Sequence, residues 1–188
     1  MLDLNTDRLK MIPLKAENLA LLIKDQKHME SNLSLNESSS ILSHELKQAM
    51  EVRLSKVLAD EKNYIWCTNW IIVSKDINEI VGGIMIKGTP NDNGEVVIGY
   101  YTLFEHQGNG FMTEAVTNLK NWLLNQAEVI YVIADTEKDN IASHRVLEKT
   151  GAEMYKESEE LFFWRFSTNK PWQFPIVIKC YLITGRNS

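Results

Sequence analysis

The sequence predicts a mixed α/β fold: one mostly antiparallel sheet with a single parallel strand pair, flanked by helices. Three observations predict it. Strand-like runs between Tyr64 and Thr102 are joined by short turns, as in an antiparallel meander. A glycine turn then leads into a one-faced helix. A continuous apolar run, "VIYVIAD", follows that helix and reads as a strand covered on both faces. Strand, helix, buried strand is a crossover unit, right-handed by rule, whose two strands lie parallel.

Each element has its own signal. "RLKMIPLK" alternates, with Leu9 and Met11 on one face and Arg8 and Lys10 on the other, and predicts the first strand. Leu19, Leu22, Ile23 and Gln26 follow at helical spacing. After the polar loop "SLNESSS", Leu46, Met50, Leu54, Val57 and Leu58 form the apolar stripe of a second helix. The meander is "YIWCTNWIIVS", "IVGGIMIKG" and "EVVIGYYT", joined by "KDINE" and "TPNDNG". Phe111, Ala115, Leu119, Trp122 and Leu123 line one side of the crossover helix. "NIASHRVLEKTG" is a short helix ending at Gly151, a C′ glycine. "MYKESEELFFWRFS" and "PIVIKCYLIT" are read as two closing strands.

Bulk properties narrow the function classes. At 188 residues the chain is expected to form one domain, 1–188, with a substantial core. Net charge is −5, which argues against a general nucleic-acid binder and suits a cationic substrate. No signal-peptide pattern and no apolar run of membrane-spanning length is present, so a cytoplasmic, membrane-free protein is expected. Cys67 and Cys180 have no metal-ligand spacing and read as core thiols; no metal is expected.

The chemistry concentrates in "TLFEHQGNGFMTEAVTNLKNWLL". Gly108 and Gly110 let the main chain take positive φ and approach a ligand closely. The first amides of the following helix lack intrahelical partners and sit at the positive end of its dipole. A strand running into such a turn is suited to an anion, most often phosphate, though two glycines before a helix also make a plain tight turn. A P-loop would need Gly-Lys-Ser/Thr, and here Phe111 and Met112 follow Gly110. A dinucleotide fingerprint would need a third glycine, which is absent, although Asp135 follows the next strand.

"HQGNGFMTEA" resembles the acetyl-CoA signature of the GNAT N-acetyltransferases, Gln/Arg-x-x-Gly-x-Gly/Ala. Gln107, Gly110 and Met112 stand at its fixed positions; Met112 departs from Gly/Ala without blocking main-chain binding. "LNTDRLKMIPLKAENL", "VIGYYTLFEHQGNG" and "ADTEKDNIASHRVLEKTGAE" resemble the branch that includes ribosomal-protein N-terminal acetyltransferases. The resemblance covers nearly the whole chain and implies the GNAT fold, in which the strands before and after the turn's helix splay apart. It further implies acetyl-CoA as co-substrate and no metal. Pantetheine would pair with the exposed strand edge, as an added strand does. Main-chain contacts to the thioester arm would come from Tyr101 and Thr102. The amides of Gly108, Asn109, Gly110, Phe111, Met112 and Thr113 would cradle the pyrophosphate. Asn140 would bond the pantetheine arm, cap its own helix, or do both.

Acetyl transfer to an amine needs a neutral amine, a stabilised oxyanion and a proton for the leaving thiolate. A main-chain amide near Thr102 is the oxyanion candidate. Ser143 matches the proton-donor position of the branch, and equally shares a packing stripe with Val146, Leu147 and Thr150. Relatives carry the base Glu where this chain has Val97. Glu95 lies two residues back on the same face, either a base acting through water or a solvated strand-end residue. Tyr100 and Tyr101 are candidate polar contacts, although tyrosines in strands are usually packing residues; His106 and His144 read as surface or cofactor-edge residues. Trp164, Trp172 and Phe174 are expected mainly in the core, with an acceptor pocket or homodimer contact as the other reading. The expected acceptor is a protein N-terminal amine; a polyamine or aminoglycoside, and a non-catalytic acyl-CoA-binding module, remain as other readings.

Overall fold

The structure, a computed structural model, describes residues 3–39 and 42–167. Eight strands form one sheet: β1 (Leu4–Asn5), β2 (Leu9–Pro13), β3 (Asn69–Ser74), β4 (Glu79–Ile86), β5 (Glu95–Thr102), β6 (Tyr131–Glu137), β7 (Glu153–Glu157) and β8 (Leu161–Ser167). Their order is β1-β2-β3-β4-β5-β6-β8-β7, and among the described residues only β5 and β6 pair in parallel. The parallel pair is joined through α4 (Phe111–Leu124), as expected for a crossover.

Side-chain alternation divides the core in two. One face of the sheet carries Leu9, Met11, Trp70, Ile72, Ile84, Val96, Ile98 and Val132 against α4 and α5 (Ile141–Lys149). The other carries Ile12, Leu14, Ile71, Val73 and Ile80 against α1 (Ala16–Lys24), α2 (Gln26–Asn32) and α3 (His44–Ala59). Along β2, Leu9 and Met11 serve one core and Ile12 the other, because helices cover both faces of that strand.

Three elements differ from the expectation. The first helical pattern is broken at Asp25, whose side chain accepts the His28 amide at 3.2 Å and starts α2 there. On α3, Met50 and Val57 are buried, whereas Leu58 is 58% exposed, lying off the stripe facing the sheet. "MYKESEELFFWRFS" is a hairpin rather than one strand, since Ser158 and Leu161 bond each other and reverse the chain. "PIVIKCYLIT", Trp172, Phe174 and Cys180 lie outside the described residues. Cys67 is half-buried and free.

Two glycines of β4 let the sheet carry large neighbours. A Cβ on Gly83 would lie 2.7 Å from the Tyr101 ring and hydroxyl, so Tyr101 lies flat across its register partner. The Tyr101 hydroxyl is buried there, and burial pushes it up to about 12, with Asn69 acting in the opposite direction. A Cβ on Gly82 would meet the Met112 methyl at 3.3 Å and the Tyr101 carbonyl at 2.4 Å. Gly83→Ala should destabilise the fold by about 1–3 kcal/mol through overpacking, read by urea denaturation. The penalty should shrink when Tyr101 is also shortened to Leu.

Candidate active site

Strands β5 and β6 pair over only part of their length. Glu95, Val96, Val97 and Ile98 match Tyr131, Val132, Ile133 and Ala134, and the pairing stops there. Gly99–Thr102 continue against β4, while Asp135–Glu137 continue against β8. The direction of the freed main-chain groups follows from the ladder. The Lys87 amide bonds the Val97 carbonyl, and the Leu103 amide bonds the Val81 carbonyl. Antiparallel main-chain groups alternate in direction along a strand. Tyr101 therefore turns its main chain toward β4, and Tyr100 and Thr102 present theirs to the gap. Of the expected pair, Thr102 faces the gap and Tyr101 does not.

The glycine turn closes the open end of this gap. Gly108 and Gly110 have φ of 79° and 74°, the left-handed region in which a Cβ is strained. The Asn109 side chain donates to the His106 and Gln107 carbonyls and ties the turn to itself. Gly110 is the N-cap of α4, and no side chain caps the helix, in contrast to α2, α3 and α5. Its first amides are thus left for a ligand or water. Met112 turns its side chain into the core, 5% exposed, beneath Gly82. That inward turn explains how a long side chain fits a position where the motif has Gly or Ala. A groove of about 450 Å³ runs from Gly110 along the outer face of α4, past Thr113 and Thr117 to Lys149.

Across the gap stands α5. Asn140 caps it, its Oδ1 accepting the Ser143 amide at 3.1 Å, which leaves the carboxamide NH₂ for another partner. Ser143 is half-buried. The Tyr100 hydroxyl donates to the Ser143 carbonyl at 3.2 Å, a strap from β5 to α5 where the strands have parted. Burial pushes the Tyr100 hydroxyl up to about 12, so it stays protonated and acts as a fixed hydrogen-bond donor at neutral pH. The sequence offered Tyr100 as a packing residue or a polar contact without indicating its partner, which lies 43 residues away. His144 is a correction: it is buried, bonded to the Glu137 carbonyl at 2.9 Å and packed on Phe162 and Trp164. Trp164 is 5% exposed, its indole N–H donating to Thr136, and belongs to the core.

On the opposite face, a second cavity of about 450 Å³ lies between the start of α3 and the end of β5, lined by Leu42, Leu46, Tyr101, Thr102 and Phe104 among others. Glu95 is at the far end of β5. Its carboxylate accepts from Asn91 at 2.8 Å and its amide donates to Asn91 at 2.9 Å, within the turn before the strand. Thr102 lies at the other end of this 8-residue strand, seven steps and about 23 Å of chain away. Lys87 and Asp135 pair at 3.1 Å beside Gly99, where the strands part. Among the described residues, no cluster of three His, Cys, Asp or Glu is arranged to hold a metal, and no helix is long and apolar enough to cross a membrane.

A mixed sheet whose one parallel pair opens just before a glycine turn and helix is the GNAT fold. The chain belongs to the acetyltransferase (GNAT) domain family, whose model matches residues 8–153. It is 40% identical over 100 residues to the uncharacterized N-acetyltransferase YjdG of Bacillus subtilis (strain 168); the match covers 53% of this chain and 60% of that protein. The ribosomal-protein-S5-alanine acetyltransferase of Vibrio fischeri superposes with a TM-score of 0.67 at 17% identity, over 91% of this chain and 100% of that one. RimJ of Mycobacterium smegmatis, solved with a CoA disulfide, superposes with a TM-score of 0.59 at 14% identity, over 85% of this chain and 81% of that one.

The Tyr100 strap has a measurable consequence. Tyr100→Phe should cost about 0.5–1.5 kcal/mol of unfolding free energy, the net worth of one hydrogen bond. Urea denaturation checks this, and an unchanged midpoint would show the bond is not made in solution.

Proposed function

We propose that this protein is an N-acetyltransferase that moves an acetyl group from acetyl-CoA to a primary amine, specifically a protein N-terminal amine. The observation that carries the reading is the strand edge freed beyond Ile98, leading directly to an uncapped helix start. An extended arm ending in a pyrophosphate fits that sequence of features: amide partners along the edge, then amides at a positive helix end. The residues suited to hold it are Thr102 and Tyr100 by main chain, the amides from Gly108 to Thr113, and the Asn140 NH₂. Gln107 borders the turn, and Lys149 lies at the far end of the groove along α4. When bound, acetyl-CoA supplies an activated acyl group whose departing thiolate needs a proton. Ser143 is the donor we assign, on the helix facing the gap.

The acceptor would enter from the opposite face, through the cavity beside Leu42, Leu46 and Phe104. Two considerations favour an α-amine. Asn91 holds Glu95 in its turn and Lys87 holds Asp135, so neither is assigned as a base, and Glu105 is the carboxylate that lines the acceptor cavity among the described residues. An α-amine, with an ordinary pKa of about 7.7–8.0, is about one-tenth neutral at pH 7, whereas a lysine-like amine at about 10.4 is almost wholly charged. The similarity in fold to the S5-alanine enzyme supports the same acceptor class.

Stabilisation by acetyl-CoA in a thermal shift assay is the first expected outcome, and its absence would sink the reading. CoA release should then appear with peptides bearing a free N-terminus and disappear when that terminus is blocked. Turnover of polyamines or aminoglycosides alone would instead assign a small-amine acceptor. Tight binding with no turnover would indicate a non-catalytic module. Ser143→Ala should lower kcat by about 100-fold or more, as loss of a general acid does, while Glu95→Gln leaves kcat unchanged.

A further inference from the structure

Arg8, at the start of β2, reaches across 106 residues of sequence to Glu114 on the first turn of α4. Its Nε and Nη2 meet Glu114 Oε2 at 2.7 and 2.6 Å. The other carboxylate oxygen accepts the Thr6 hydroxyl at 2.5 Å and the Arg8 amide at 3.2 Å. Burial alone would raise the Glu114 carboxyl, but these donors and the Arg8 charge hold it below the ordinary glutamate value. The Arg8 guanidinium makes a further polar contact, Nη1 donating to the Asn109 carbonyl at 3.1 Å, between the two glycines of the turn. Its guanidinium also stacks 4.9 Å from the centre of the Phe111 ring.

An exposed ion pair contributes about 0–1 kcal/mol to stability, and Arg8 is 49% exposed, so stability alone is a weak account of so many contacts. What the contacts fix is a peptide plane. In a trans peptide the carbonyl and the next amide point to opposite sides. Anchoring the Asn109 carbonyl on Arg8 therefore directs the Gly110 amide the other way. Gly110, on one side of that peptide, has no Cβ to restrict its rotation.

We infer that Arg8, aimed by Glu114 and Thr6, is a positioning residue that fixes the glycine turn in its anion-binding form. The inference rests on the acetyl-CoA reading above. It makes a prediction opposite in sign to simple electrostatics. Removing the Glu114 charge beside an anion site should by charge alone tighten binding, whereas loss of the clamp weakens it.

The test is CoA affinity by titration calorimetry for the wild type, Arg8→Gln, Arg8→Lys and Glu114→Gln, with circular dichroism and melting temperature recorded for each. Arg8→Gln and Glu114→Gln should each raise the CoA Kd about tenfold. Arg8→Lys should not restore it, because an ammonium lacks the planar fork that spans Glu114 and the Asn109 carbonyl. Lys27→Met, which breaks the exposed Lys27–Glu37 pair, should leave Kd unchanged. Lower melting temperatures with an unchanged Kd would reduce Arg8 to a structural residue and overturn the inference. Tighter binding by Glu114→Gln would overturn it too. A wild type that binds no CoA overturns the acetyl-CoA reading and this inference with it; a wild type that binds, with variants equal to it, overturns only the clamp.

Discussion

Strands β5 and β6 pair for four residues, Glu95–Ile98 with Tyr131–Ala134, and then each keeps its outer neighbour and loses this one. The rest of the site depends on that loss. Main-chain amides and carbonyls seek partners, and a strand edge opened inside a sheet leaves a row of them without any. Beyond Ile98 each strand keeps only its outer ladder, Gly99–Thr102 on β4 and Asp135–Glu137 on β8, and the edges that face each other stay unpaired. The opening is thus held from outside, by two intact ladders on either side of it.

Such an opening would weaken the sheet at its middle unless something bridged it. The bridges come from side chains. Tyr100 crosses on one face to the Ser143 carbonyl, and Asn140 holds the same turn of α5 from within. On the other face the Lys87–Asp135 pair spans from the end of β4 to β6 beside Gly99. The Trp164–Thr136 and His144–Glu137 bonds fasten the β6 side to its own neighbours. The gap is therefore framed by rigid parts, which suits a site that must hold an extended ligand in one geometry.

Glycine and large side chains are matched across the sheet at the same place. Gly83 gives the Tyr101 ring a floor, and Gly82 gives the Met112 side chain room. The second match frees the turn from its one irregularity. With Met112 buried under β4, the helix start presents main chain alone, as it would with Gly or Ala there. One cavity runs along α4 from Gly110, and the other reaches the end of β5 from the α3 side.

Much of this was legible in the chain itself. Periodicity gave the meander, the one-faced α4 and the buried β6, and the crossover rule made β5 and β6 parallel, since all these depend on residues close in sequence. The glycine pair and uncapped helix start were legible for the same reason. The sequence misplaced what depends on partners far away. One apolar run became the β7–β8 hairpin, and His144 went inside, because Phe162 and Trp164 from that hairpin pack over it. Tyr100 read as packing or a polar contact with no partner named, and Arg8 as a strand residue on the face opposite Leu9 and Met11, until the fold brought Ser143 and Glu114 to them. Local patterning determined the elements and the glycine turn. Only the tertiary structure decided where the strands part, which main-chain groups face the gap and which side chains hold it open, because each of those is a contact between residues tens of positions apart.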